Sequence, residues 1–442
     1  MGQSRMVQLV LAICLLISFV IIPPARAESS FEAGAGAEAL VIPQGISLAG
    51  YFQRRIWLTQ NPPSNPNATY FQASTGQHDV IRAKATALKI NNKKLAVVSL
   101  DLVAIFPGVR EILAQRLTDL GYQPENIIVV ATHTHSGPGG FANFRFWELL
   151  AADKFLPHFF SEIIRAAEKA IRIADSQLTP AVANTGGVGL DGLAVSRRSN
   201  QPIQTSLTWF RLVSRAGQPI ATWVNLPVHS DLLTPANLEI SGDIAGEVER
   251  KWEQRFGGVA MFFSGASGDI DPHGFTRDFD GLTRLGANFD NMISSVVPFQ
   301  NAAFVPKEIE TFTYSQELAK PYLNLGACVS FLGPFANILP YIPLPAVFAQ
   351  PAQLVGMKID KHAYVFIPGE PFQNIGEGIR QAGMKAGFET VTTVGLSNSY
   401  LGYIMDADEF NRGGYEACNS FYGPTYGAKI LEGSEKLLGI MK

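Results

Sequence analysis

Two hydrophobic periods alternate along the chain. Residues 95–100 form a nearly unbroken apolar run ending at Asp101, the pattern of a strand buried on both faces. Pro107 then opens a helix whose apolar positions, Val109, Ile112, Leu113 and Leu117, recur with a helical period, and Gly121 closes it. Residues 127–131 read as the next strand. A strand, a helix and a strand in this order predict a parallel crossover and α/β layering. A second helix is predicted over 151–175, with Phe155, Phe159, Ile163 and Ala167 on one face. Strands at 207–213 and 220–226 flank the hairpin turn Ser214-Arg215-Ala216-Gly217. A helix at 244–256, strands at 259–263 and 363–367, a helix near 373–386 and a strand at 391–396 follow. Residues 28–80, rich in Gly, Pro, Asn and Ser, read as irregular. With no repeat and no clear linker, one large domain over 28–442 is the simplest organisation. The fold class expected is α/β, a layered domain with mixed, partly parallel sheets flanked by helices and a site at the C-terminal ends of strands.

The ends and the composition narrow the setting. Arg5 precedes an apolar run over 6–22, Pro23-Pro24 breaks it, and Ala25-Arg26-Ala27 supplies an A-x-A site. This predicts a signal peptide over 1–27 and an exported protein, against the rival of a retained membrane anchor. A net charge of -3 over 442 residues leaves no basic face for nucleic acid. Cys14 falls in the signal, so Cys328 and Cys418 remain, either as one disulfide or as two buried thiols. Residues 329–355 are apolar, proline-rich and almost uncharged. They read either as a loop tucked into the core or as an apolar rim or lid that receives a greasy substrate or touches a membrane surface.

Candidate chemistry gathers after the strands. Ala131-Thr132-His133-Thr134-His135-Ser136-Gly137-Pro138-Gly139-Gly140 follows the strand at 127–131, and in extended backbone His133 and His135 would point to one side. Two imidazoles beside a Gly-rich turn suit a metal ion. A catalytic zinc takes three protein ligands and keeps one position open. Of the seven histidines, His229 stands in the same relation to its strand as His133 does, and Glu370 follows another strand in Ile367-Pro368-Gly369-Glu370. His158, His78 and His362 have ordinary surroundings. Asp101 and Asp243 are weaker candidates, the latter as a helix cap. Ser267-Gly268-Asp269-Ile270-Asp271-Pro272-His273 is either a further site segment or an Asx-type turn.

The run THTHSGPGG at 132–140 resembles the signature of the neutral/alkaline, non-lysosomal ceramidases, and the resemblance extends over most of the chain after residue 27. SLDLV at 99–103, VHS at 228–230, PGE at 368–370 and SNSYLGYIMDADEFNRGGYEA at 397–417 are similar to family segments in the same order. The resemblance implies a Zn2+ enzyme with ligands His133, His229, Glu370 and Tyr403. It implies substrate-contacting or catalytic roles for His135 and Tyr415, and for Arg198, which matches the family's Asn-Arg-Ser arginine with Arg197 as a rival. It implies hydrolysis of a lipid-like amide of the ceramide type by a water that the metal acidifies; His135 is the expected acid toward the leaving amine, because an imidazole can shift its pKa across neutrality. Two departures stand out. Asp271 occupies the position of a family serine considered a nucleophile and is expected instead to orient the water or hold the substrate's amine, and the chain has no room for the family's C-terminal immunoglobulin-like domain. Another metal hydrolase of small amides or esters, and a non-catalytic lipid-binding envelope protein on the same scaffold, are the alternatives.

Overall fold

A computed structural model describes residues 31–56, 65–295, 302–329, 338–345, 348 and 351–442. The predicted signal at 1–27 lies outside the described residues, as do 330–337, 346–347 and 349–350 of the apolar stretch. No helix among the described residues is long and apolar enough to cross a membrane.

The larger sheet has nine strands: β1 (Phe31–Ala39), β2 (Arg82–Ile90), β3 (Lys93–Leu100), β4 (Ile127–Ala131), β5 (Thr179–Ser196), β6 (Pro202–Ser214), β7 (Pro219–Leu226), β8 (Val259–Ser264) and β9 (Ile270–Pro272). Their order is β8-β7-β6-β5-β1-β2-β3-β4, with β9 paired to the end of β5. Helices α1 (Val109–Arg116), α2 (Pro157–Ser176), α3 (Asp243–Phe256) and α4 (Phe279–Ser295) cover one face. A second sheet, β10 (Ile309–Gln316), β11 (Ala352–Ile359), β12 (His362–Phe366) and, beyond the two-residue β13 (Glu370–Pro371), β14 (Thr390–Val394), packs on the other face. Helices α5 (Gln373–Ala386) and α6 (Tyr426–Ile440) cover its far side. The result is four layers, helices–sheet–sheet–helices.

Alternation along the buried strands builds this layering. Ala96, Val98, Ile127 and Val129 face α1 and α2, while Leu95, Val97, Ile128 and Val130 enter the core between the sheets with Phe210, Trp223, Met357 and Phe366. Both faces are dry, which is why β3 and β4 read as unbroken apolar runs. Three crossovers carry parallel pairs: β3–α1–β4, β7–α3–β8 and β12–α5–β14. Lys84 on β2 is buried against α3, 2.8 Å from Glu249 and 2.7 Å from Glu253, so the charge that crosses this layer is neutralised where it is desolvated.

The structure corrects the expectation of an irregular segment over 28–80. Residues 31–39, FEAGAGAEA, form β1 near the middle of the larger sheet, although they contain no β-branched residue. Close approach of α2 explains the composition. A Cβ on Gly34 would stand 2.1 Å from the Ala174 carbonyl oxygen, and one on Gly36 would stand 2.3 Å from that of Ala170. β5, likewise glycine-rich, was also not anticipated by propensity. The predicted helix over 151–175 starts later, at Pro157, where a proline suits the first turn. The α-helix after Pro107 stops at Arg116, and a 3-10 turn leads to Gly121 at φ 82°.

Gly36→Val should lower the unfolding free energy by at least about 2–3 kcal/mol, because the clashing atom belongs to a helix backbone that cannot move alone. Gly189→Ala, whose Cβ would meet nothing within 4 Å, serves as the control and should change it by less than about 1 kcal/mol in either direction. Equal urea midpoints for the two variants would contradict this account of β1.

Candidate metal centre

Each of the three crossovers delivers one side chain to a common point. His133 follows β4, His229 follows β7, and Glu370 follows β12. His133 does not reach the point by strand alternation, as the extended H-x-H pattern suggested. Its backbone turns into the left-handed region at φ 65°, with its N–H bonded to the Leu102 carbonyl at 3.0 Å. The His229 N–H is held by the Ile270 carbonyl at 3.0 Å, and Glu370 pairs in parallel with Tyr403 across β13 and β15 (Tyr403–Ile404). His133, His229 and Glu370 are 2%, 0% and 3% exposed.

Hydrogen bonding fixes the tautomers. His133 Nδ1 lies 2.6 Å from the Val103 carbonyl oxygen, and His229 Nδ1 lies 2.8 Å from that of Ser267. A carbonyl only accepts, so each Nδ1 carries the proton and each neutral Nε2 carries a lone pair. Those two Nε2 atoms are 3.1 Å apart, and each is 3.1 Å from Glu370 Oε2. His135 Nε2 comes within 3.3 Å of His133 Nε2, and the three histidines offer ligand atoms all within 4.8 Å of one another. Acceptors so arranged repel unless a cation lies among them, and one extra proton bridges only a single contact. Nitrogens bound to a tetrahedral ion at about 2.0–2.1 Å stand about 3.3 Å apart, close to the spacing here. The donor set fits a divalent ion such as zinc.

Further groups orient this cluster. The Tyr400 hydroxyl donates to Glu370 Oε1 at 2.5 Å, leaving Oε2 for the histidines. The Tyr403 ring lies parallel to that of His229, with centroids 6.4 Å apart, and its hydroxyl is 3.4 Å from Arg197 Nη1. Burial, with Glu370 second, pushes the Tyr403 phenol well above its ordinary range, so its anion requires a bound cation. Tyr415, exposed at the rim, has its ring centre 5.9 Å from that of Tyr403. The disulfide Cys328–Cys418, one of the two alternatives left open by the sequence, ties the short helix Tyr415–Cys418 to the helix Leu325–Cys328.

The two arginines divide the work differently from the expectation. Arg198 points away from the centre, with Nε 2.7 Å from Glu409, Nη1 3.0 Å from Glu416 and Nη2 2.9 Å from the Gly413 carbonyl oxygen. It braces the loop that leads to Tyr415. Arg197 instead faces Tyr403, with Nη2 2.7 Å from Asp231 and Nε on Asp271. Asp271 therefore bonds Arg197, and among the described hydrogen bonds it has none to a histidine. His78 stacks on Phe279, His362 bonds Thr390, and His158 is exposed on α2. Asp101 accepts the Arg82 N–H away from the cluster, and burial, then Glu249, pushes it up to about 8. Asp243 accepts the N–H groups of Leu232, Leu233 and Ile244, which pins the loop after His229, and burial pushes it up to about 7. Asp269 receives the Gln373 N–H.

Four contributors were not singled out from the sequence. Tyr400 sits in the quoted 397–417 stretch, and Asp231 lies two residues past His229. Burial alone would raise Asp231, but Arg197, then His229 and His135, bring it down to about 2. Tyr51 packs on His135 with ring centres 4.9 Å apart, and the buried Arg54 donates to the His135 carbonyl at 2.6 Å. Both come from the segment read as irregular, where nothing local marks them.

An apolar cavity of about 690 Å³ opens beside the centre, lined by Phe106, Phe141, Phe144, Trp147, Phe348 and Tyr400 among others. Tyr400 joins it to Glu370. A cavity of equal volume beside Gly34, Arg215 and Pro219 contains none of the centre's residues. Of the predicted apolar rim at 329–355, Phe348, Pro351 and Gln353 line the first cavity, while Tyr341 and Ile342 are exposed.

Residues 67–276 match the sequence model described as neutral/alkaline non-lysosomal ceramidase, N-terminal. The chain is 22% identical to the neutral ceramidase of Mycobacterium tuberculosis over 80% of its own length and 70% of that protein. It is 26% identical to the neutral ceramidase of Pseudomonas aeruginosa, over 49% of this chain and 36% of that one. The crystal structure of neutral ceramidase from Pseudomonas aeruginosa superposes with a TM-score of 0.78 at 20% identity, covering 94% of this chain and 75% of that chain.

Tyr400→Phe removes the hydrogen bond that orients Glu370 while keeping the ring in place. Affinity for Zn2+, measured by competition with a chelator of known affinity, should fall about 10–100-fold. An unchanged affinity would mean that Glu370 needs no outer partner.

Proposed function

Since the chain belongs to the neutral/alkaline non-lysosomal ceramidase family, we propose that it is a zinc-dependent hydrolase that cleaves the amide bond of a lipid-like N-acyl substrate of the ceramide type, releasing a fatty acid and an amine. The observation that carries the metal dependence is the meeting of three lone-pair acceptors, His133 Nε2, His229 Nε2 and Glu370 Oε2, with both histidine tautomers fixed by backbone carbonyls. The apolar, aromatic cavity that touches this cluster at Tyr400 supports a long acyl chain as the group bound beside it.

His133, His229, Glu370 and Tyr403 would hold the ion. Zinc, when bound, acidifies water and polarises a carbonyl. The chain's own residues do the rest. The acyl chain lies along Phe106, Trp147 and Phe348 and brings its carbonyl toward the histidines. A water oxygen adds to the carbonyl carbon while its proton passes to His135, and negative charge develops on the carbonyl oxygen, toward which Tyr415 at the rim is the donor. The carbon–nitrogen bond then breaks, and the nitrogen leaves with a proton. His135, which burial keeps neutral at the start, is placed to hand on the proton it took from the water, since its Nε2 faces the cluster and its Nδ1 has no hydrogen-bond partner among the described groups. No step requires a serine at position 271.

Purified protein should contain one tightly bound divalent metal per chain, and zinc should restore activity after chelation. His133→Ala should lose the metal and reduce amide hydrolysis by at least about 1,000-fold, the loss of a Lewis acid worth several kcal/mol. Trp147→Ala should raise KM for long-chain amides more than for acetyl amides. Full activity in metal-free protein would overturn the mechanism. Bound metal and bound lipid without turnover of any amide would identify a lipid-binding protein instead.

A further inference from the structure

Every nitrogen of the Arg197 guanidinium is engaged. Nε meets Asp271 Oδ1, Nη2 is 2.7 Å from Asp231 Oδ2, and Nη1 is 3.4 Å from the Tyr403 hydroxyl. Arginine recognises a carboxylate by offering a pair of parallel N–H groups, and here Nε and Nη2 go to the protein's own acids while Nη1 faces Tyr403. Two carboxylates on one guanidinium leave this side of the site with one net negative charge. Arg277 offsets it only in part, since its guanidinium is 3.7 Å from Asp231 Oδ1 and is 40% exposed.

The two acids are not equivalent. The Asp231 side chain is 6% exposed and the Asp271 side chain 27%, so Asp271 is the member of the pair that an incoming group meets. Only its Oδ1 engages Arg197, and among the described contacts its other oxygen has no partner. None of Arg197, Asp231 and Asp271 lines the apolar cavity, which reaches the centre at Tyr400. An N-acyl substrate with its chain in that cavity therefore presents its headgroup, not its tail, to this cluster.

We propose that Asp271 is a specificity-determining residue: by occupying Arg197 and turning its outer oxygen toward the headgroup, it disfavours anionic amides such as N-acyl amino acids and favours neutral or cationic ones such as N-acyl amino alcohols. The proposal rests on the ceramidase-type placement of an N-acyl amide, and it adds the headgroup charge to it. An anionic headgroup would meet a carboxylate oxygen and find no free guanidinium edge. A hydroxyl or ammonium would find an acceptor. Removing the carboxylate takes away one negative charge and frees Nε while Nη2 stays on Asp231, so the preference should shift toward anions, and only while Arg197 is present.

The test is equilibrium binding to the metal-loaded full chain, followed by calorimetry. Two uncleavable probes share an octanoyl chain and a CH2 group in place of the amide nitrogen; one ends in a carboxylate and the other in a hydroxyl. The wild type should bind the hydroxyl probe more tightly. Asp271→Ser and the isosteric Asp271→Asn should each move the ratio of the two dissociation constants toward the carboxylate probe by about 10-fold or more, the worth of one charge-assisted hydrogen bond. Asp271→Ser combined with Arg197→Ala should lose that shift. A ratio that moves by less than about 2-fold in both single variants, or a shift that survives without Arg197, overturns the role of Asp271 while leaving the hydrolase intact. Failure of the wild type to bind either probe would remove the N-acyl site itself, and the proposal with it.

Discussion

The structure turns on lone pairs that face one another. His133 and His229 each spend their only N–H on a backbone carbonyl, so what they present to each other, and to Glu370, is electron density. In a pocket with almost no solvent exposure this arrangement is costly by itself and favourable around a cation. The carbonyls of Val103 and Ser267 thus matter as much as the imidazoles, because they decide which nitrogen is left to bind. They sit in loops just past β3 and β8, so the tautomers depend on the packing of the whole larger sheet.

That packing is rigid for a reason that can be traced to single residues. Three parallel crossovers end within reach of one point, and the four-layer sandwich buries the strands on both faces. Gly34 and Gly36 let α2 approach β1, and the buried Lys84 with Glu249 and Glu253 fixes α3 against the sheet. In the entropic model the disulfide Cys328–Cys418, closing a loop of separation 90, contributes about 4–5 kcal/mol and fastens the helix that bears Tyr415. A site built on strand ends keeps its ligand spacing without relying on a mobile loop.

Around the cluster of His133, His229 and Glu370 lies a ring of charge that sets its surroundings. Asp231 and Asp271 bracket Arg197, Arg198 is consumed by Glu409 and Glu416, and the buried Arg54 spends its donors on carbonyls, including that of His135. Burial lowers the Arg54 guanidinium to about 10, still charged at neutral pH. The side facing the apolar cavity is by contrast largely aromatic, with Arg110 and its neighbour Glu111 as its charged lining residues.

Much of this was written in local sequence. The crossovers, the helix over 373–386, and the positions of His133, His229 and Glu370 after strands are visible because buried parallel strands leave unbroken apolar runs, and side chains just past them gather at one edge of the sheet. Tertiary structure alone decided the rest. β1 is mostly Gly, Ala and Glu, which strands disfavour, and its glycines make sense only beside α2. Arg197 and Arg198 are adjacent and chemically identical, so only the fold could send one to Tyr403 and the other to Glu409 and Glu416. Tyr51, Arg54 and Tyr400 reach the centre through contacts between segments distant in the chain, which no local pattern encodes.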